Sequence, residues 1–474
     1  MNVPVLRSES NTTVLRTELR RSVAPWAGAA VLTGALAFLY LIDGSWWQGG
    51  TAWTAQWTSL ALWTRGLLFY LWPLTVGLGA LQGLRDHRSR MPELLSSTPR
   101  PAWQRAAVPA GATALALACA YVLLVLVGGV QVFVHTDYTH LGWLPIATVG
   151  ALSLVAGAVL GMGVARALPS MLTPPALAMA AFTFTVLMNA SLGRTETAAP
   201  NGVPQSEPNR LSLLSPTVEE VHNVFVTLSA SVHVGQTLWL LGLTATGFTL
   251  LVAATPRTRL LAVTPALAGA VLALLVLPAD PQRMYVVDES AATPVCDGPV
   301  CVARVHRERL AEVAGPGRKA LRLLHDALGD RAPDTVRENT AVQPDGTTPR
   351  WSRDTVLFGF DDGLVGGAKG EELTRALVAE GMAPDCTPVG WSGVGGDLYA
   401  QAVAVGWVLG DLKPLPGTES SGLHRQVDAE ARPVWKKLRA LPRAEQLSRI
   451  GAMRDAAFSC EGDVFDALKG GGSR

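Results

Sequence analysis

GLRDHRSRMPELLSSTPRPAWQR, residues 83–105, is the stretch from which the rest of the chain can be read. It lies between two apolar runs, 60–82 and 106–130. Each run is long enough to cross a bilayer core of about 30 Å at about 1.5 Å per residue. The stretch carries Arg85, Arg88, Arg90, Arg100 and Arg105 against only Asp86 and Glu93. A basic loop this short between two spans is expected to stay in the cytoplasm. Its middle, Met91-Pro-Glu-Leu-Leu, places Pro at a first helical position and a carboxylate in the first turn. Ser96-Ser-Thr-Pro-Arg-Pro then stops the helix. The expectation is a short amphipathic helix at the inner membrane face, shaped to dock on a soluble partner. The plainer alternative is the basic inner loop that any multi-span protein needs.

An Arg-rich segment, then ELLSSTPRPAWQR, then a long apolar span resembles the intracellular loop of actinobacterial ABC-2 type transporter permeases. The resemblance covers roughly residues 20–278 and rests on layout plus this one segment. It implies that Arg88, Arg90, Met91, Glu93, Leu94, Leu95 and Arg100 form a coupling loop that takes up motion from a separate ABC ATPase subunit. It also implies a dimer of permease subunits, homo- or heteromeric, in the lipid bilayer.

Composition agrees with a membrane protein that carries a polar appendage. The 474 residues have a mean hydropathy of +0.27 and only 16% charged side chains. Up to Pro278 there are 15 Arg, no Lys and 10 acidic residues, a net of +5. Beyond it stand 24 basic and 28 acidic residues, a net of −4. The second part, about 195 residues, is long enough for its own core. Neither part is basic enough to point to nucleic acid.

Residues 1–24 are basic and carry helical spacing at Val14, Leu15 and Leu19, which suggests an interfacial helix, with a disordered tail as the alternative. Seven spans are expected: 25–42, 60–82, 106–130, 144–165, 172–192, 235–254 and 260–278. A cleaved signal peptide is not expected, because more spans follow the first without a small-residue cleavage site. Arg65, one turn inside the second span, is expected to snorkel to the interface, with a role in the translocation path as the alternative. Gly157, Gly161 and Gly163 in the fourth span provide a small-xxx-small packing signal. Between spans five and six, segment 193–234 begins as loop, and Thr217-Val-Glu-Glu-Val-His-Asn-Val-Phe-Val-Thr-Leu opens as a capped helix. Segments expected inside hold twelve Arg and the outer segments before the tail hold two, which sets the N-terminus inside. Seven spans then place 279–474 outside, where the resembled family has six spans and an inside C-terminus.

Cysteine usage points the same way. Cys119 lies in the third span, whereas Cys296, Cys301, Cys386 and Cys460 all follow the last one. Four cysteines in an outside domain suggest two disulfides, with three possible connectivities. The turn in Cys296-Asp-Gly-Pro-Val-Cys301 favours local pairing, which leaves Cys386 for Cys460. The domain reads as mainly helical α+β, with strands at 284–287, 300–303 and 355–360 and helices at 305–328, 371–380, 397–409, 423–441 and 444–458.

No catalytic constellation stands out. Asp361-Asp-Gly-Leu-Val-Gly-Gly-Ala-Lys-Gly lacks the Gly-Lys-Ser/Thr of a phosphate loop and reads as a turn between strand and helix. His306-Arg-Glu308 reads as a solvated pair, Asp361, Asp362 and Asp385 as ordinary surface, and His135, Asp137, Tyr138 and His140 as loop polarity rather than a metal site. The expected protein is therefore an α-helical polytopic membrane protein plus a mainly helical α+β domain. No enzymatic activity, metal or cofactor is expected. Its expected work is that of the permease subunit of an ABC-type exporter in the plasma membrane; a membrane-anchored sensor or scaffold is the alternative.

Overall fold

A computed structural model describes residues 17, 22–41, 53–85, 101–136, 138–198, 204–217, 224–343, 347–388, 396–418 and 421–470. Five helices among them are long and apolar enough to cross a membrane. They are α1 (Ala24–Leu41), α4 (Ala102–His135), α5 (Trp143–Ala167), α7 (Ala230–Val252) and the stretch Pro256–Val276, in which α8 (Pro256–Leu261) runs into α9 (Thr264–Val276). A sixth is counted if α2 (Trp57–Gly66) and α3 (Leu68–Gly83), bent by 52° at their junction, form one span. The expected fifth span, 172–192, is the helix α6 (Thr173–Ala190) but is not among them: three Thr, two Pro and an Asn dilute its apolar content. By length and composition alone, five of the seven expected spans, or six with the bent pair, qualify among the described residues.

The helices pack around α5. Its most apolar window is 61% buried, against 17% for Pro256–Val276 at the edge. Two sets of glycines explain the close approach. Gly161 of α5 meets the main chain of α3 at Val76, and Gly163 meets α7 at Gly247, so that a Cβ at either would strike backbone. With no hydrophobic driving force between helices in lipid, such contact is the main attraction that holds a bundle together.

The chain between α6 and α7 forms a hairpin, β1 (Arg194–Ala198) with β2 (Pro204–Pro208), then a short 3-10 turn at Ser212–Leu214. Strand β3 (Val226–Leu228) follows and pairs antiparallel with β4 (Tyr285–Val287), which comes after α9. The expected helix over 217–228 is therefore corrected at its end: Val226-Thr-Leu228 is extended, because a partner strand from beyond the last apolar helix supplies its hydrogen bonds.

The C-terminal domain begins with the single turn α10 (Glu289–Ala292) and a four-stranded sheet, β5 (Pro294–Asp297), β6 (Val300–Ala303), β7 (Thr335–Glu338) and β8 (Thr355–Phe358), in that spatial order. The first pair is antiparallel and the other two are parallel. Helix α11 (Leu310–Leu328) crosses from β6 to β7, as a parallel pair requires. Helices α12 (Gly370–Met382), α13 (Gly396–Leu409), α14 (Ser421–Arg439), α15 (Arg443–Ser459) and α16 (Val464–Lys469) complete it. One core unites the sheet with all of these helices through residues such as Val336, Phe358, Leu324, Leu377, Val403 and Met453. Strands β5 and β7 were not expected, and the helix expected from 305 begins as a 3-10 turn, Arg304–Arg309. The Sγ atoms of Cys296 and Cys301 lie 2.11 Å apart, as do those of Cys386 and Cys460. These are the pairs favoured from the spacing.

Candidate functional site

Among the described residues of the apolar helices, Arg65 is the one fully buried charged side chain, at 0% exposure. It does not snorkel, which corrects the expectation. It sits on the last turn of α2, directly before the bend into α3. The cause is cover from above, since residues 212–217 fold over it with little secondary structure of their own. Nε and Nη2 of Arg65 both donate to the carbonyl of Pro216, at 3.1 and 2.8 Å, and Nη2 also donates to Gln236 Oε1 at 3.0 Å. Gln236 Nε2 donates to Leu213 O at 3.1 Å, and Trp239 Nε1 to Leu214 O at 2.9 Å. Side chains thus satisfy the main-chain carbonyls of a buried, largely non-helical segment, the condition under which such backbone survives among apolar helices. Asn189 of α6 ties the other end down, donating to Thr217 Oγ1 at 2.9 Å. Tyr121 of α4 donates to Thr64 Oγ1 at 3.1 Å, beside the arginine. A cavity of about 20 Å³, room for one water, adjoins the segment and is lined by Asn189, Arg194, Ser212 and Thr217 among others.

The C-terminal domain rests on the neighbouring helix ends through a second set of bonds. Tyr138, just beyond α4, donates to Asp288 Oδ2 at 3.0 Å and lies 2.6 Å from Ser290 Oγ. Asp288 caps α10 by accepting from the Ser290 and Ala291 amides. Burial alone would raise the Asp288 carboxyl, but the hydrogen bonds from Ser290, Ala291 and Tyr138 hold it below the ordinary range. His140 lies 3.1 Å from Thr58 Oγ1, and burial pushes its imidazole down. Thr136 Oγ1 donates to Val305 O at 3.4 Å, and Gln56 Nε2 donates to Val224 O. Tyr138 therefore docks the C-terminal domain and His140 is tied to α2 through Thr58, so neither is solvated loop polarity; His135 is exposed and Asp137 lies outside the described residues.

Inside the domain, two readings of polar residues change. His306 is buried, and its partner is Glu338 rather than Glu308: Nδ1 lies 2.6 Å from Glu338 Oε1, while Oε2 accepts from the Ala303 amide at 2.7 Å. Glu338 points inward because it shares the period-two face of β7 with Val336. Glu380, 3% exposed on α12, gathers Asp362 and Asp385 around it. Burial, then the charges of Asp362 and Asp385, push its carboxyl well above the usual range; burial also raises Asp362 and Asp397. Asp362 and Asp385 are thus not independent surface carboxylates. Among the described residues, no group of three or more His, Cys, Asp or Glu is placed to hold a metal ion.

Arg88, Arg90, Met91, Glu93, Leu94, Leu95 and Arg100, expected as the coupling loop, all lie outside the described residues. What the structure brings together instead is Arg65 with Pro216 and Gln236, residues 151 and 171 positions away in the chain. Reading the sequence singled out Arg65 but missed Gln236; a Gln at the second turn of an apolar helix was the available signal. No protein-family model, no curated protein and no solved structure matches this chain.

Proposed function

We propose that the chain is the membrane-spanning permease subunit of an ABC-type exporter, working with a separate ATPase subunit. The observation that carries the reading is the segment GLRDHRSRMPELLSSTPRPAWQR, set between the bent pair α2–α3 and the helix α4. On this reading Leu94 and Leu95 bury against the ATPase and Glu93 faces a basic group on it. ATP-driven motion enters through this loop and rearranges helices whose Gly-lined contacts let them slide. The twelve-to-two Arg bias supports a cytoplasmic loop, and the two disulfides support a C-terminal domain on the outside. Affinity isolation of the full chain from its native membranes tests the reading. Recovery of a stoichiometric ABC ATPase supports it, and repeated isolation with no ATPase contradicts it.

A second reading, a sensor whose outer domain signals inward, draws on one observation. Tyr138, Thr136 and Gln56 fasten the C-terminal domain and the segment before α7 to the ends of α2 and α4, so a change in that domain has a bonded route to the bundle.

A further inference from the structure

Arg65 lacks what a buried cation ordinarily has. Its acceptors are a neutral carbonyl and a neutral amide oxygen, and its Nη1 is buried with no hydrogen-bond partner. Among the described residues no Asp or Glu hydrogen-bonds or pairs with it. His233 Nδ1, on the first turn of α7, is also buried and unpartnered. The charge further sits at a 52° break in an apolar helix pair, the place where broken helices in membranes hold polar ligands. A guanidinium with an unused donor, fixed at such a break and with no carboxylate partner among the described residues, fits a planar or tetrahedral oxyanion better than the carbonyl it now holds.

From this geometry we infer that Arg65 is the binding point for an oxyanion, a carboxylate or a phosphate, on the molecule that passes through the bundle. The inference rests on the permease reading. In the present state residues 212–217 close the site: Pro216 occupies Nε and Nη2, and the adjoining cavity of about 20 Å³ admits no more than a water. When that segment lifts, the oxyanion takes the place of Pro216 O and engages Nη1 as well. Ionised acceptors make the stronger hydrogen bond, so the exchange is favourable once the ligand's own desolvation is offset. Gln236 competes for the same guanidinium and sets how readily it is released.

The test uses the purified full chain in phosphatidylcholine nanodiscs, with no ATPase present, so that it can fail independently of the ATPase isolation. One arm titrates succinate and inorganic phosphate against chloride at matched ionic strength. The other replaces part of the phosphatidylcholine with phosphatidylglycerol. The two arms separate a soluble oxyanion from a lipid headgroup. The readout is the thermal unfolding midpoint by tryptophan fluorescence. A saturating oxyanion in one arm raises the wild-type midpoint by about 3 °C, and Arg65→Gln abolishes the rise. Gln236→Leu keeps the charge, removes a competing acceptor and lowers the half-saturating concentration about threefold or more. Gln236→Leu decides the matter if Arg65→Gln does not fold. No shift in either arm, an equal shift in Arg65→Gln, or an unchanged half-saturating concentration in Gln236→Leu overturns the inference.

Discussion

Replacing Glu380 by Gln should make the C-terminal domain more stable at pH 8 and leave it unchanged near pH 4. Glu380 is 3% exposed on α12, between Asp362 and Asp385. Burial and these two charges raise its carboxyl well above the ordinary value, so the folded domain holds a proton that the unfolded chain has already released. A raised carboxyl contributes stability that is full below the unfolded value, and that stability is lost as pH rises toward the folded value. Each pH unit between the two costs about 1.4 kcal/mol. Asp362 and Asp397 are raised in the same sense and add to the slope. The substituted glutamine has nearly the same shape, carries no charge and can still donate to Asp362, so the slope should fall. The assay is amide hydrogen exchange of the Gly370–Met382 helix in the full chain, corrected for the intrinsic rate at each pH. A wild-type opening free energy that stays flat from pH 5 to 8, or a Glu380→Gln chain less protected than wild type at pH 8, would refute the argument.

Two further expectations are independent of it. Cys386 and Cys460 close a chain segment of 74 residues, so replacing both with Ser should cost about 4 kcal/mol by loop-closure entropy. The shorter Cys296–Cys301 bridge, 5 residues apart, should be worth about half that; equal losses in hydrogen-exchange stability would contradict the entropic account. Membrane-impermeant thiol labelling should find a Cys placed at Ser89 shielded in intact cells and one placed at Asp354 accessible. The reverse result would overturn the orientation drawn from the arginine bias.

The apolar runs were legible because twenty-odd residues without charge leave few other folds open. The bend after Gly66 was not, since a glycine in a span reads equally as a packing residue, and only the 52° turn of the chain distinguishes them. Arg65 was legible as an anomaly, yet its fate depended on Pro216, 151 residues further on. Strand β3 was misread for the same reason, because the partner of Val226–Leu228 comes from beyond two apolar helices. Strand β7 was hidden by Arg337 and Glu338: one faces out, and the other faces in only because His306 and the Ala303 amide receive it. The disulfide pairs were legible because Asp297-Gly-Pro makes a turn that brings Cys296 back to Cys301 across the β5–β6 pair.

The most direct measurement of the central claim is the fate of a double variant, Glu93→Lys with Leu95→Asp, in the segment on which the permease reading stands. A buried apolar anchor at an interface is worth ~2 kcal/mol or more, so the variant should lose at least tenfold in affinity for the ATPase subunit. ATP-driven export should fall with it while the amount of chain in the membrane stays at the wild-type level, since the apolar helices are untouched. The measurement is co-isolation of the ATPase together with cellular export by the same strain. Normal ATPase capture and normal export from the double variant would contradict the account and move the sensor reading ahead of it.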